Sequence, residues 1–220
     1  MKKITFFLLL ALAVLLVLLA LHYATPNTQK KATTQETQRN GAAQEAQHKG
    51  AAQDAQHITF LGKELCGDID SFREHLKSKG YKEAGYDDDA YIFTGSFAGR
   101  DCYLWLLNHK GIAWRAAVMF DKEYSDWTTL QKDYTQLRDY YVQKYGTPAT
   151  ETHEFADDYR KENPSITAVR FGEYTWQDEF AAPGGEIMLQ ISHEPEVSIV
   201  IIYMDAEGDA KRNADIMDEI

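Results

Sequence analysis

The sequence predicts an α+β domain: a curved antiparallel sheet built from two helix-plus-meander units, with the helices packed on one face. Three observations lead there. Apolar residues recur at helical spacing in two long stretches, strand-like runs follow each stretch, and short Gly- or Pro-containing turns join those runs. Strands strung together by tight turns pair antiparallel, because parallel neighbours need a long crossover. A helix followed by a meander occurs twice in residues 58–220, which predicts an internal structural duplication.

The chain divides into residues 1–24, 25–57 and 58–220. Lys2 and Lys3 precede an uncharged apolar run from Ile4 to Leu21. At ~1.5 Å per residue the run makes ~27 Å of helix, close to the ~30 Å core of a bilayer. It is long and Leu-dense, without a clean A-x-A cleavage site, so it reads as a single-pass signal-anchor. The two lysines then stay inside, and the C-terminal domain lies outside the cytoplasm, in the periplasm or cell envelope. The alternative is a cleaved signal peptide and a secreted domain.

Residues 25–57 contain no aromatic and no branched aliphatic side chain, so they read as a flexible Ala/Gln-rich linker. Within it Gly41-Ala42-Ala43-Gln44-Glu45-Ala46-Gln47-His48 recurs as Gly50-Ala51-Ala52-Gln53-Asp54-Ala55-Gln56-His57. Two copies are too few for a solenoid. The paired histidines hint at metal binding, but slippage in a tolerant linker explains them more simply.

The domain opens with a strand at Ile58–Leu61 and a turn at Gly62. Asp68 reads as a helix N-cap, Ile69, Phe72 and Leu76 as the helix's apolar face, and Gly80 as its stop. Tyr91–Phe93, Tyr103–Leu107 and Ile112–Phe120 follow as strands, the last two joined by the turn Asn108–Gly111. The second helix is capped by Asp126 and carries Trp127, Leu130, Tyr134, Leu137, Tyr141 and Tyr145 on one face. Gly146 and Pro148 end it. Strands are expected near 151–155, 166–176, 186–192 and 197–203, and a closing helix over 206–217 sets Ala210, Ala214 and Met217 on one side.

Residues 58–220 hold 17 basic and 31 acidic side chains, a net charge of −14. Such a surface repels phosphate backbones and anionic lipid alike. Nucleic acid is therefore excluded as a partner, and membrane contact is expected through residues 4–21 only. Cys66 and Cys102 are a candidate disulfide in an oxidising compartment, with two buried free thiols as the alternative.

The chemistry-bearing motifs are sparse. Asp87-Asp88-Asp89 lacks the spacing of a calcium loop and reads as a solvated turn. His153-Glu154 and His193-Glu194 would ligate zinc only if the fold brought them together. The chain holds no G-x-S-x-G elbow, phosphate loop or dinucleotide fingerprint, so no cofactor is expected. Trp105, Trp114 and Trp176 fall on different expected strands. They are candidates for an aromatic binding surface on an open sheet face, weighed against core packing.

Phe60-Leu61-Gly62, Gly67–Phe72, Gly80-Tyr81, Phe93–Gly99 and Tyr145–Pro148 resemble stretches of uncharacterised exported and envelope proteins of Bacteroides-type bacteria. The resemblance implies an envelope or secreted location and carries no activity. At fold level alone, the duplicated helix and meander are similar to beta-lactamase-inhibitor-like domains and outer-membrane-assembly lipoprotein domains. The reading that follows is a non-catalytic binding module for an envelope protein or peptide. The alternatives are a small-ligand or glycan binder on an aromatic sheet face, and a hydrolase whose site assembles only in the fold.

Overall fold

A computed structural model of the chain describes residues 56–156, 163–194 and 196–219. The domain is α+β, and its large sheet is antiparallel and open. A two-stranded hairpin, β1 (Thr59–Phe60) and β2 (Lys63–Glu64), leads into β3 (Gly67–Asp68) and α1 (Ile69–Ser78). The first meander follows as β4 (Lys82–Asp87), β5 (Ala90–Phe97), β6 (Arg100–His109) and β7 (Ile112–Phe120). Helix α2 (Trp127–Tyr145) opens the second unit. That unit continues through β8 (Thr150–Phe155), α3 (Ile166–Arg170), β9 (Tyr174–Ala182), β10 (Gly185–Ser192) and β11 (Ser198–Asp205) to α4 (Ala206–Glu219).

The sheet order is β4-β5-β6-β7-β11-β10-β9-β8, with β3 also paired to β7. Each unit is therefore a helix plus a four-stranded meander, and the last strands of the two units meet at the centre of one sheet.

The caps behave as their chemistry dictates. The Asp68 carboxylate accepts the Ser71 N–H at 2.8 Å, and Asp126 accepts that of Thr129 at 2.8 Å. Ile69, Phe72 and Leu76 of α1 and Leu130, Tyr134, Leu137 and Tyr141 of α2 are buried in one core. They meet Phe93, Leu104 and Leu106 of the first meander and Phe180, Leu189 and Ile201 of the second. Each such side chain contributes about 1.5–3 kcal/mol on burial. A second, smaller apolar layer on the opposite face holds Ile92, Trp105, Ala117, Met119, Met188, Val200 and Ile202.

Helix α4 sits at one end of the sheet, with Gly208 against Trp114: a Cβ added there would lie 2.7 Å from that residue's Cβ. Its expected apolar side faces solvent, since Ala210, Ala214 and Met217 are exposed. Contact is made instead through Gly208, Asp209 and Arg212.

One strand assignment changes, and one strand, β4, was not expected. Residues 166–176 are not one strand. Ser165 caps a short helix by accepting the Ala168 N–H at 3.1 Å, Gly172 turns the chain at φ +66°, and β9 begins only at Tyr174. β4 shows no alternation because it is an edge strand whose side chains are nearly all exposed.

The expected membrane anchor also needs correction. Among the described residues no helix is long and apolar enough to cross a membrane. The longest, α2, has 19 residues but carries Lys132, Asp133, Arg138, Asp139 and Lys144. The apolar run at 4–21 and the linker up to residue 55 lie outside the described residues. His57, read as the last linker residue, belongs to the fold: its Nδ1 lies 3.1 Å from Asp205 Oδ2.

Glu186 gives a pH-dependent prediction. Burial first, then Glu179, raises its carboxyl above the ordinary 4.5, while Arg115 opposes the shift and Asp209 adds to it. The folded chain thus holds a proton that the unfolded chain releases. The stability this gives is complete below the ordinary value and is lost as pH rises through the raised one. At neutral pH the charged group is a cost. Glu186→Gln is expected to raise Tm by about 1 °C near pH 7, and the gain should vanish near pH 4 in thermal scans.

Candidate functional site

The three tryptophans do not form one surface. Trp105 is 2% exposed in the second apolar layer, 6.1 Å from the Tyr103 ring. Trp114, 3% exposed, is the extra residue of a β-bulge, where Leu107 pairs with Arg115 but Asn108 with Ala113. It lies beneath Gly208, with the Arg115 and Arg212 guanidinium groups 4.2 and 5.2 Å from its ring. Only Trp176 is part-exposed, on β9, and its ring centroid lies 5.0 Å from Trp127 and 4.9 Å from Tyr134.

Cys66 and Cys102 do not form the candidate disulfide; both are free. Cys66 lies beside Asp205 and His57. Cys102 is buried near Tyr81, and burial pushes its thiol up to about 12. The two His-Glu pairs also stay apart. His153 stands on β8, whereas His193 follows β10 and lines a cavity of about 300 Å³ with Tyr124, Ser125, Arg170 and Glu196. Within that cavity Arg170 has no ion-pair or hydrogen-bond partner among the described residues, and the adjoining Phe171 is 71% exposed.

The densest polar arrangement joins α2 to the β8–β9 edge, and it centres on Asp178, whose side chain is wholly buried. Its Oδ2 accepts from the Tyr134 hydroxyl at 2.8 Å and from Arg138 Nε at 3.1 Å, and its Oδ1 lies 3.0 Å from His153 Nε2. Arg138 also pairs with Glu151 on β8. Burial, reinforced by the Asp178 charge, raises the Tyr134 hydroxyl far above its ordinary value. A carboxylate taken out of water persists only when donors surround it, and here three side chains do so. The network holds β8 against the domain. Along the same face runs a part-buried aromatic row, with Phe155 on Tyr174 at 4.9 Å, Tyr174 on Trp127 at 5.8 Å and His153 on Trp176 at 5.0 Å.

β8 is one edge of the sheet, and β4 the other. The two differ in how they present themselves. The β4 register slips between Glu83 and Gly85, a bulge of the kind that protects an edge. β8 pairs with β9 in unbroken register from Thr150 to Phe155. The Ala156 N–H donates to the Glu173 carbonyl at 2.9 Å. By antiparallel alternation Thr152 and Glu154 bond β9, while the backbone groups of Glu151 and His153 point outward. Among the described residues no strand pairs with that outer side. Sequence reading missed this edge because its importance lies in backbone groups rather than in any motif.

Comparison of the chain with protein-family models, with curated proteins and with solved structures finds no match. The reading of function therefore rests on the geometry of this molecule.

Proposed function

We propose that the domain is a non-catalytic binding module that takes up an extended peptide segment of a protein partner by strand addition along β8. The observation that carries this reading is the straight, bulge-free β8 edge, with the outward N–H and C=O groups of Glu151 and His153 beside the aromatic row. A strand added there gains main-chain hydrogen bonds, and its alternate side chains meet the face carrying His153 and Trp176. The net charge of −14 favours a neutral or basic segment. The basic-then-apolar N-terminus supports work outside the cytoplasm, with an envelope protein as the partner class.

The test uses the full chain against a library of random extended peptides. Bound peptides are expected to protect the amides of Glu151 and His153 from hydrogen exchange. Glu151→Pro removes one outward donor without touching the β8–β9 ladder. It is expected to weaken peptide binding at least 10-fold, the scale of one hydrogen bond of about 1.4 kcal/mol. Glu151→Gln, which loses the same ion pair to Arg138 but keeps the outward N–H, serves as its control for both binding and Tm. Peptides that bind equally well to this variant would refute the edge.

A small anionic ligand is the second reading, favoured by Arg170, which has no partner among the described residues, in the cavity with His193 and Ser125. Binding of such a ligand that is lost in Arg170→Gln and untouched by Glu151→Pro would select it.

A further inference from the structure

Away from β8, the first hairpin and the end of β11 bring three ligating side chains together. The β1–β2 register pairs Thr59 with Glu64 and Phe60 with Lys63, and the Leu65 N–H donates to the Ile58 carbonyl at 2.9 Å. One further step of that register sets His57 opposite Cys66. Asp205, the last residue of β11, closes the third corner. One ligand atom from each of His57, Cys66 and Asp205 lies within 4.8 Å of the other two.

The Asp205 carboxylate is fixed by the Ile58 N–H at 3.1 Å and the Gly208 N–H at 2.9 Å, and it faces His57 Nδ1 at 3.1 Å. Each of its oxygens keeps a lone pair beyond those backbone bonds. Cys66 is held at φ +65°, a left-handed conformation rare for a residue with a side chain, and its N–H donates to the Ala113 carbonyl at 2.6 Å.

We infer that His57, Cys66 and Asp205 form a binding site for a zinc-class divalent cation. Imidazole nitrogen, thiolate sulfur and carboxylate oxygen are the donor set zinc takes, and three of them leave the fourth position to solvent. Bonds of about 2.0–2.3 Å in a tetrahedral shell set ligand atoms about 3.3–3.8 Å apart, so the three atoms close by little more than 1 Å. On binding, the Cys66 thiol gives its proton to solvent. A cation bound at Nδ1 leaves the neutral ring's proton on Nε2, on the side where the Glu207 carboxylate lies 3.9 Å away as an electrostatic partner. One proton leaves per cation. Lys211 is nearby, but its charge is met by Glu207 at 2.5 Å.

The other triplet of similar spacing, Glu151, His153 and Asp178, differs in kind. There Arg138 already bonds Asp178 at 3.1 Å, a fixed positive charge where the metal would have to sit.

Metal-free full-length protein titrated with Co²⁺ is expected to develop a thiolate-to-cobalt charge-transfer absorption that saturates at one equivalent. Zn²⁺ should displace the cobalt, and Zn²⁺ added to the metal-free chain should release one proton. Cys66→Ser should abolish the absorption, whereas Cys102→Ser and His48→Ala should retain it. Glu207→Gln should weaken zinc binding about 10-fold, the usual scale for a partner that orients a ligand. Alkylation of Cys66 in the unsubstituted protein should slow when zinc is present, a readout independent of any variant's folding. An absorption that survives Cys66→Ser, or zinc that neither releases a proton nor protects Cys66, would overturn the site.

Discussion

Replacing Asp178 with Ala is expected to destabilise the folded protein by about 3–5 kcal/mol, read as a shift in the urea unfolding midpoint. The carboxylate is fully buried and serves three donors on two elements, Tyr134 and Arg138 of α2 and His153 of β8. Its removal leaves the Arg138 guanidinium short of its buried partner and the Tyr134 hydroxyl with only the Leu189 carbonyl, 2.8 Å away. Asp178→Asn should cost less, because the amide oxygen still accepts although the charge is lost. If the alanine variant unfolded at the wild-type midpoint, the network would be ornamental and β8 would be held by its ladder alone.

Gly185→Ala is expected to cost about 3 kcal/mol, at the upper end for overpacking. A Cβ on Gly185 would lie 2.0 Å from the Met204 carbonyl oxygen, on the backbone of the strand that pairs with it. Backbone cannot rotate away as a side chain can, so β10 and β11 must part at that end. Gly85→Ala is the matching control. Nothing lies within 4 Å of its added Cβ, and the expected change is within about 0.5 kcal/mol in the same unfolding assay.

Most of the fold was legible in the sequence, because helix faces and hairpin turns write periodic signals. Asp126 and Gly146 marked both ends of α2, and the turn Asn108–Gly111 with the nearly unbroken apolar run Ile112–Phe120 marked β7. β4 was silent because an exposed edge strand has no apolar rhythm, and α3 was mistaken for strand because its five residues hold little more than one turn. The choice between core packing and a surface for the tryptophans stayed open in the sequence for a related reason. Residue type says that Trp105 and Trp114 are aromatic, but only the bulge and α4 decide that Trp114 is covered, and only the second apolar layer that Trp105 is.

The candidate sites were less legible still. Asp178 gave no signal, since its partners lie 25 to 44 residues away. His57 and Cys66 were within reach, because the turn at Leu61-Gly62 places them at matching distances on either side. Asp205 was not, standing 148 residues beyond His57.

The meeting of β7 and β11 at the centre of the sheet bears on how the chain acquires its structure in time. β7 is almost wholly apolar, and its partner strand lies roughly 80 residues further on, as the penultimate element, a separation that slows folding. During synthesis from the N-terminus the first meander therefore waits with its stickiest border uncovered. A ribosome-bound intermediate that ends before β11 is the form of this protein most in need of a chaperone.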